Sequence, residues 1–228
     1  MQNKLSKQEL KDIIQWDVKN WKSALPFWEK HFEIKPGMKV LALGERDGGL
    51  SLYFAQKGCT VVCSDYSEIS EGAYSMHKSY GVDNKITYDK IDMRAINYDS
   101  DSFDIVVFKS VIGALGSADQ QAKAISEINR VLKKDGAFLF AENALASRLH
   151  AYLRKKFTAW QGHWYYAPDK KIDGWKSKYQ NAYSKKIGFV ALFGRSERQR
   201  AILGTIDSVL QYLVPKKWRY IFLGVFIK

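Results

Sequence analysis

Cysteine is nearly absent from this chain of 228 residues: Cys59 and Cys63, four apart, are its only two. Such a pair builds no disulfide framework, so a reduced, cytoplasmic setting is expected. Proline is scarce as well, with four residues and none between Pro36 and Pro168, which leaves a long central stretch free of helix and strand breakers. Long apolar runs are lacking. The longest, Tyr220 to Ile227, has eight residues, against the roughly 20 of a membrane-spanning helix. The opening MQNKLSKQEL lacks the apolar core of a signal peptide. The four histidines, His31, His77, His150 and His163, show no ligand spacing with each other or with the cysteines, so no metal site is expected. Hydrophobic residues make up 46% and charged residues 26% of the chain, a balance that excludes wholesale disorder.

Acid is missing from one region. Residues 145–228 carry 17 Lys+Arg but only Asp169, Asp173, Glu197 and Asp207, whereas residues 1–144 carry 19 basic and 20 acidic side chains. The net charge of +12 therefore lies at the C-terminal end, which also holds 16 of the 32 aromatic residues. A field of one sign concentrates its opposite. Nucleic acid, an anionic membrane face and a phosphorylated small molecule all fit, and so does a solvated surface that keeps the protein soluble.

Ser6 with Glu9 spells a capping box, and Ile13, Ile14, Trp16 and Trp21 follow at roughly helical spacing. The spacing predicts a helical arm over residues 1–35, with Pro26 opening or interrupting a second segment. An alternation follows over 36–143. Strands are predicted at 39–43, 60–64, 85–88, 104–108 and 137–141, with helices at 49–57, within 68–80 and at 119–134, where Gly136 is placed to end the last helix. Residues 144–228 are predicted to complete the sheet and form the acceptor side, with a basic helix at 144–157, an irregular stretch, strands near 188–193 and 220–227, and a helix at 195–213. Continuous apolar strands alternating with amphipathic helices imply an α/β fold with a doubly wound, mostly parallel sheet.

In such a sheet, ligands sit at the carboxyl ends of the strands. After the first strand stands Gly44-Glu-Arg-Asp-Gly48-Gly49, a turn whose glycines admit close approach to a ligand at a helix N-terminus. Asp65 ends the second strand 21 residues after Gly44, the distance at which a carboxylate accepts from ribose hydroxyls. Asp92 and Met93 follow the third strand, where a carboxylate reaches an adenine amino group and a thioether packs on the ring.

VLALGERDGG, VVCSDY, IDM, FDIVVFKSVIG and EINRVLKKDGAFLFAEN together resemble the successive motifs of class I methyltransferases that use S-adenosylmethionine, over about residues 38–143. Within that family the chain is most similar to bacterial enzymes that methylate sugars of surface polysaccharides. The resemblance implies a Rossmann-like seven-stranded sheet with S-adenosyl-L-methionine as cofactor. It places Gly44, Glu45 and Gly48 at the methionine part, Asp65 on the ribose, Tyr66 against the adenine, Asp92 and Met93 at its far edge, and Lys109 and Ser110 closing the pocket. The chain departs from the family pattern at Arg46, which replaces the central glycine of Gly-x-Gly-x-Gly, and at Ala42, where an acid is common. Arg46 implies either a changed turn with its side chain outward or weakened cofactor binding. The same residue suits the pyrophosphate of a nicotinamide cofactor poorly.

For the acceptor, the loop Phe108-Lys109-Ser110-Val111 lacks the Asn/Asp-Pro-Pro-aromatic motif of base amine methylation, and no Pro-Cys nucleophile is present. A hydroxyl acceptor needs a general base. Glu142 after the fifth strand, His150 on the basic helix and His163 in Gln-Gly-His-Trp-Tyr-Tyr are the candidates. Arg154, one turn from His150, and Trp164 are candidate substrate contacts, for an anionic group and for stacking on a sugar or base. Trp160 and Tyr165 accompany Trp164, and Trp16 and Trp21 are candidate covers of the cofactor. The expectation is O-methylation of a small or glycan-type acceptor, phosphate- or lipid-linked. RNA methylation and a catalytically silent binding module are the alternatives. Membrane contact is expected to be peripheral at most, through Leu145, Leu149, Tyr152 and Phe157.

Overall fold

Ser6 opens the first helix as its spacing demands. In the computed structural model, which describes residues 5–147, 151–152 and 164–228, Ser6 Oγ accepts from the Glu9 amide and the Glu9 carboxylate accepts from the Ser6 amide. Both halves of the capping box are closed. Helix α1 (Lys7–Ile14) leads to α2 (Val18–Trp21) and α3 (Ala24–His31). Pro26 lies in the first turn of α3, where its missing N–H breaks no helical bond.

The chain then alternates through β1 (Lys39–Leu43), α4 (Gly49–Gln56), β2 (Thr60–Asp65), α5 (Glu71–Ser79), β3 (Ile86–Lys90), β4 (Phe103–Lys109), α6 (Ala118–Val131) and β5 (Leu132–Asn143). Helix α7 (Asp169–Lys176), β6 (Asn181–Ile187), α8 (Glu197–Leu210) and β7 (Ile221–Ile227) follow. All seven strands form one sheet in the order β3-β2-β1-β4-β5-β7-β6. The first five run parallel, and β7 enters antiparallel between β5 and β6.

Period-two alternation sends the central strands to two cores. Val40, Ala42, Ile105 and Val107 face α3, α4 and the N-terminal arm, joining Ile13, Trp21, Leu25 and Trp28. Leu41, Leu43, Val106 and Phe108 face α6 and α7, joining Ile125, Ile128, Ile172 and Trp175. Both faces are covered, as a parallel sheet requires.

Four local expectations need correction. Gly136 does not end α6. The chain passes into β5 at Leu132, and a register shift against β4 between Phe103 and Ile105 places Gly136 in an irregular strand start. A Cβ there would come within 2.9 Å of Lys133 O and 3.0 Å of Asp104 O. The expected strand at 188–193 is a short turn, Ala191–Phe193, and the strand precedes it as β6, an edge strand that exposes Asn181, Tyr183, Ser184 and Lys185. Helix α7 forms in the stretch expected to be irregular. Of the basic helix expected at 144–157, residues 144–147 are not helical, residues 151–152 are, and the rest lies outside the described residues.

Candidate active site

The strand order turns outward in both directions from the β1–β4 pair, the place where such a sheet offers a crevice at the carboxyl ends of its strands. A cavity of about 420 Å³ opens there, bordered by Gly44, Asp65, Tyr66, Asp92, Met93 and Ser110 together with Arg94, Val111, Ala114 and Leu115. That size suits a small ligand. Six of the nine residues expected at the cofactor thus share one cavity. Glu45, Gly48 and Lys109 stand outside its lining.

The turn after β1 explains how Arg46 is accommodated. Gly44 and Gly48 take the left-handed φ values of +67° and +69°, whereas Arg46 has no positive φ and is exposed. The central position therefore makes no demand that only glycine meets. A Cβ on Gly44 would come within 2.6 Å of Val111 Cγ1, so the loops after β1 and β4 touch through the missing side chain. Gly48 is pressed by His77, whose Nε2 donates to Gly48 O at 2.8 Å while Nδ1 accepts from the Tyr88 hydroxyl at 2.9 Å. Burial lowers the His77 pKa, which favours this neutral tautomer.

Asp65 is fixed by its own loop: its carboxylate accepts from the Arg46 amide at 3.2 Å and the Ser67 amide at 2.8 Å. These bonds leave lone pairs for a ligand diol. Asp92 is held by Arg94, whose Nε and Nη2 donate to it at 2.8 and 2.6 Å. This fork holds the carboxyl below its ordinary range. The guanidinium also lies 6.0 Å from the ring centre of Tyr66, which is 66% exposed at the cavity mouth. Sequence reasoning missed Arg94. The signal was the Asp-x-Arg spacing in a turn closed by the Asp92–Ala95 bridge.

Glu45 and Glu142 serve the backbone. Glu45 Oε2 accepts from the Leu50 and Ser51 amides at the start of α4, at 2.7 and 3.1 Å. Glu142 Oε2 accepts from the Val111 and Ile112 amides at 2.8 and 2.9 Å, and Oε1 from the Asn143 amide at 2.7 Å. Burial pushes the Glu142 carboxyl up to about 7. Glu142, expected as a base or acceptor-orienting group, is buried, does not line the cavity and holds the loop after β4. That loop is strained at Ser110, φ +56°. Its amide donates to Ala141 O at 2.8 Å and its Oγ accepts from Asn143 Nδ2 at 2.7 Å.

The N-terminal arm closes over the buried Lys109. Its ammonium lies 5.1 and 5.4 Å from the ring centres of Trp16 and Trp21, and burial lowers its pKa against the pull of Glu45 and Glu142. Trp16 and Trp21 therefore pack on a cation beside the site and are not part of the cavity lining. The arm is pinned by residues far along the chain. Glu197 accepts from the Asp17 and Val18 amides, each at 2.8 Å. The Tyr220 hydroxyl donates to Asp17 and accepts from Asn20 Nδ2 at 3.0 Å, and Asn20 also donates to Asp207 at 3.0 Å.

Trp164, a candidate acceptor contact, lies against Gly113, where a Cβ would come within 2.6 Å of its Cδ1. The Tyr165 amide donates to Gly113 O at 2.8 Å, and Gln121 Nε2 donates to Ile112 O and Tyr165 O at 3.1 and 2.9 Å. The segment carrying Trp164 is thus moored to the loop after β4. His150, Arg154, His163 and Trp160 lie outside the described residues. Among the described residues, no group of three or more His, Cys, Asp or Glu side chains is arranged to hold a metal ion.

Comparison with known proteins agrees with this geometry. Residues 41–140 match the family model of the methyltransferase domain. The fold is that of the class I methyltransferases. A protein of Mycobacterium tuberculosis is 31% identical over 104 residues, which span 45% of this chain and 36% of that relative. A Haemonchus contortus phosphoethanolamine N-methyltransferase, solved with phosphomonomethylethanolamine and S-adenosylhomocysteine, superposes with a TM-score of 0.63 at 19% identity, covering 90% of this chain and 52% of its own. A Pyrococcus horikoshii protein gives 0.63 at 19% identity, covering 90% and 88%. The chain thus spans about a third of the mycobacterial relative and about half of the nematode enzyme. Residues 41–140 thus match a methyltransferase domain.

Proposed function

We propose that the whole chain is an S-adenosylmethionine-dependent O-methyltransferase acting on a small or glycan-type acceptor, linked to phosphate or lipid. The observation that carries this reading is the cavity at the strand tips, lined by two fixed carboxylates, Asp65 and Asp92, and by the Gly44 turn. The residues present fit the donor: Asp65 keeps lone pairs free, and Tyr66 and Met93 both line the cavity. Asp65 would hold the ribose hydroxyls, Asp92 the adenine amino group, and Tyr66 and Met93 the ring faces. Gly44 and Ser110 would flank the methionine end. The donor, when bound, supplies a methyl group on a sulfonium carbon already activated for displacement.

The chain's own contribution is therefore alignment. Arg94 fixes Asp92, the Arg46 and Ser67 amides fix Asp65, and Glu142 sets the loop carrying Ser110 and Val111. Behind that loop Lys109 supplies positive charge, and the C-terminal part supplies the excess of cations suited to an anionic link on the acceptor. His150 and His163 are the bases this reading retains, and Arg154 and Trp164 the acceptor contacts. RNA is the second acceptor class, favoured by the same basic end.

Calorimetric titration with S-adenosylmethionine tests the first half. Binding is expected, and Asp65→Ala lowers affinity by at least about tenfold, because it removes hydrogen bonds to a charged group worth about 1.5–3 kcal/mol. No heat at millimolar donor overturns the reading. Transfer of labelled methyl groups into hydroxyls of phosphate- or lipid-linked sugars supports the second half. Labelling of RNA alone, with affinity falling steeply in salt, replaces it.

A further inference from the structure

Helix α8 shows two unlike faces. Gly204 and Asp207 are buried, and Asp207 accepts from the Val190 and Ala191 amides at 2.8 and 3.0 Å, which seats that face. On the outer side Ile202, Ile206, Val209 and Leu213 are 58%, 46%, 65% and 77% exposed, and Tyr212 beside them is 83% exposed. The four aliphatic positions follow a 4-3-4 spacing and so form one stripe along the helix and the turn after it. Isolated exposed apolar residues need no explanation, but an aligned row of four does.

The charge around the stripe selects its partner. Arg195 and Arg198 stand at its start and Lys216 and Lys217 at its end; all four are exposed, and none has an ion pair among the described residues. The acids of this stretch are already engaged, the half-buried Glu197 by the Asp17 and Val18 amides and by Arg200, and Asp207 by the Val190 and Ala191 amides in the core. The outer surface is therefore apolar and cationic, with no acid between residues 198 and 217 apart from the buried Asp207. A second copy of the chain fits poorly, since parallel and antiparallel pairing of two such helices both set cation against cation. Residues 153–163 of this chain carry Arg154, Lys155 and Lys156 and no acid, so they have the same sign.

We propose that the outer face of α8 docks on an anionic lipid surface, with the aliphatic stripe entering the headgroup boundary and the four cations meeting lipid phosphates. No helix among the described residues is long and apolar enough to cross a membrane; this one would lie on the surface. The inference does not depend on the transferase reading. It differs from the membrane contact expected of residues 144–157 in the element that carries it.

Flotation of the full chain with phosphatidylcholine vesicles, with and without about 30% phosphatidylglycerol, tests it. The protein is expected to rise with the anionic vesicles and stay down with the neutral ones. Val209→Glu with Leu213→Glu should lower partitioning by at least about tenfold, and Lys216→Ser with Lys217→Ser by about 25-fold, at about fivefold per cation. All four positions are exposed, so thermal melting should be unchanged and a folding defect is told apart from a docking defect. Failure to float, or flotation unchanged in both variants, overturns the proposal. So does a dimer in sedimentation that Val209→Glu with Leu213→Glu dissolves, since it would assign the stripe to a second copy.

Discussion

Replacing Glu142 by glutamine separates a residue that holds a loop from a residue that takes a proton. Burial raises the folded carboxyl from an ordinary 4.5 to about 7, so between those values the folded chain binds more protons than the unfolded one. Stability therefore falls as pH rises through this window, and the loss is complete above about pH 7. The interval corresponds to about 3 kcal/mol, at about 1.4 kcal/mol per decade. Glutamine keeps an oxygen for the Val111 and Ile112 amides but cannot ionise, and it forfeits the bond from the Asn143 amide, a loss of about 1 kcal/mol. At about pH 5, Glu142→Gln should be less stable than the parent by about 1 kcal/mol, and at about pH 8 more stable by about 2 kcal/mol. At roughly 2–4 °C per kcal/mol for a chain of this size, the melting difference changes sign between the two conditions. Calorimetry at both pH values reads it directly. A difference of the same sign and size at both would refute the assignment of the buried proton. Loss of turnover by about 100-fold or more with donor affinity intact would restore Glu142 as a base.

Gly44→Ala must place a methyl group against Val111 while holding φ at +67°. It should cost about 2–4 kcal/mol and at least about tenfold in donor affinity, read by melting and titration. Tyr220→Phe removes the hydroxyl joining Asp17 and Asn20, and its melting temperature should fall by about 4–8 °C, for about 2 kcal/mol. Arg94→Ala frees the Asp92 carboxylate and should weaken donor binding about tenfold with little effect on melting, since the pair is partly exposed.

The sheet core was legible because its strands are buried on both faces and spell short apolar runs: KVLAL and DIVVF became β1 and β4 within a residue at each end. Asp65 and Asp92 were legible because topology alone sends the end of each parallel strand to the same rim. Strand β6 was not, since an edge strand with solvent on its flank keeps Asn181, Ser184 and Lys185 and loses the apolar signature. The role of Glu142 was invisible for another reason. A carboxylate after a strand looks the same in sequence whether it faces a cavity or three amides, and only the path of the loop after β4 decides. The bonds from Glu197, Asp207 and Tyr220 to the arm span about 180 to 200 residues of chain, a separation at which local pattern carries no information.

The central claim is that the tips of β1, β2, β3 and β4 bind the nucleoside of the methyl donor. A crystal of the full chain soaked with S-adenosylhomocysteine tests it most directly. The account predicts density in the crevice with the ribose hydroxyls within about 3 Å of the Asp65 carboxylate and the adenine between Tyr66 and Met93. A crevice that stays empty at millimolar ligand, or a nucleoside bound elsewhere on the chain, would contradict it.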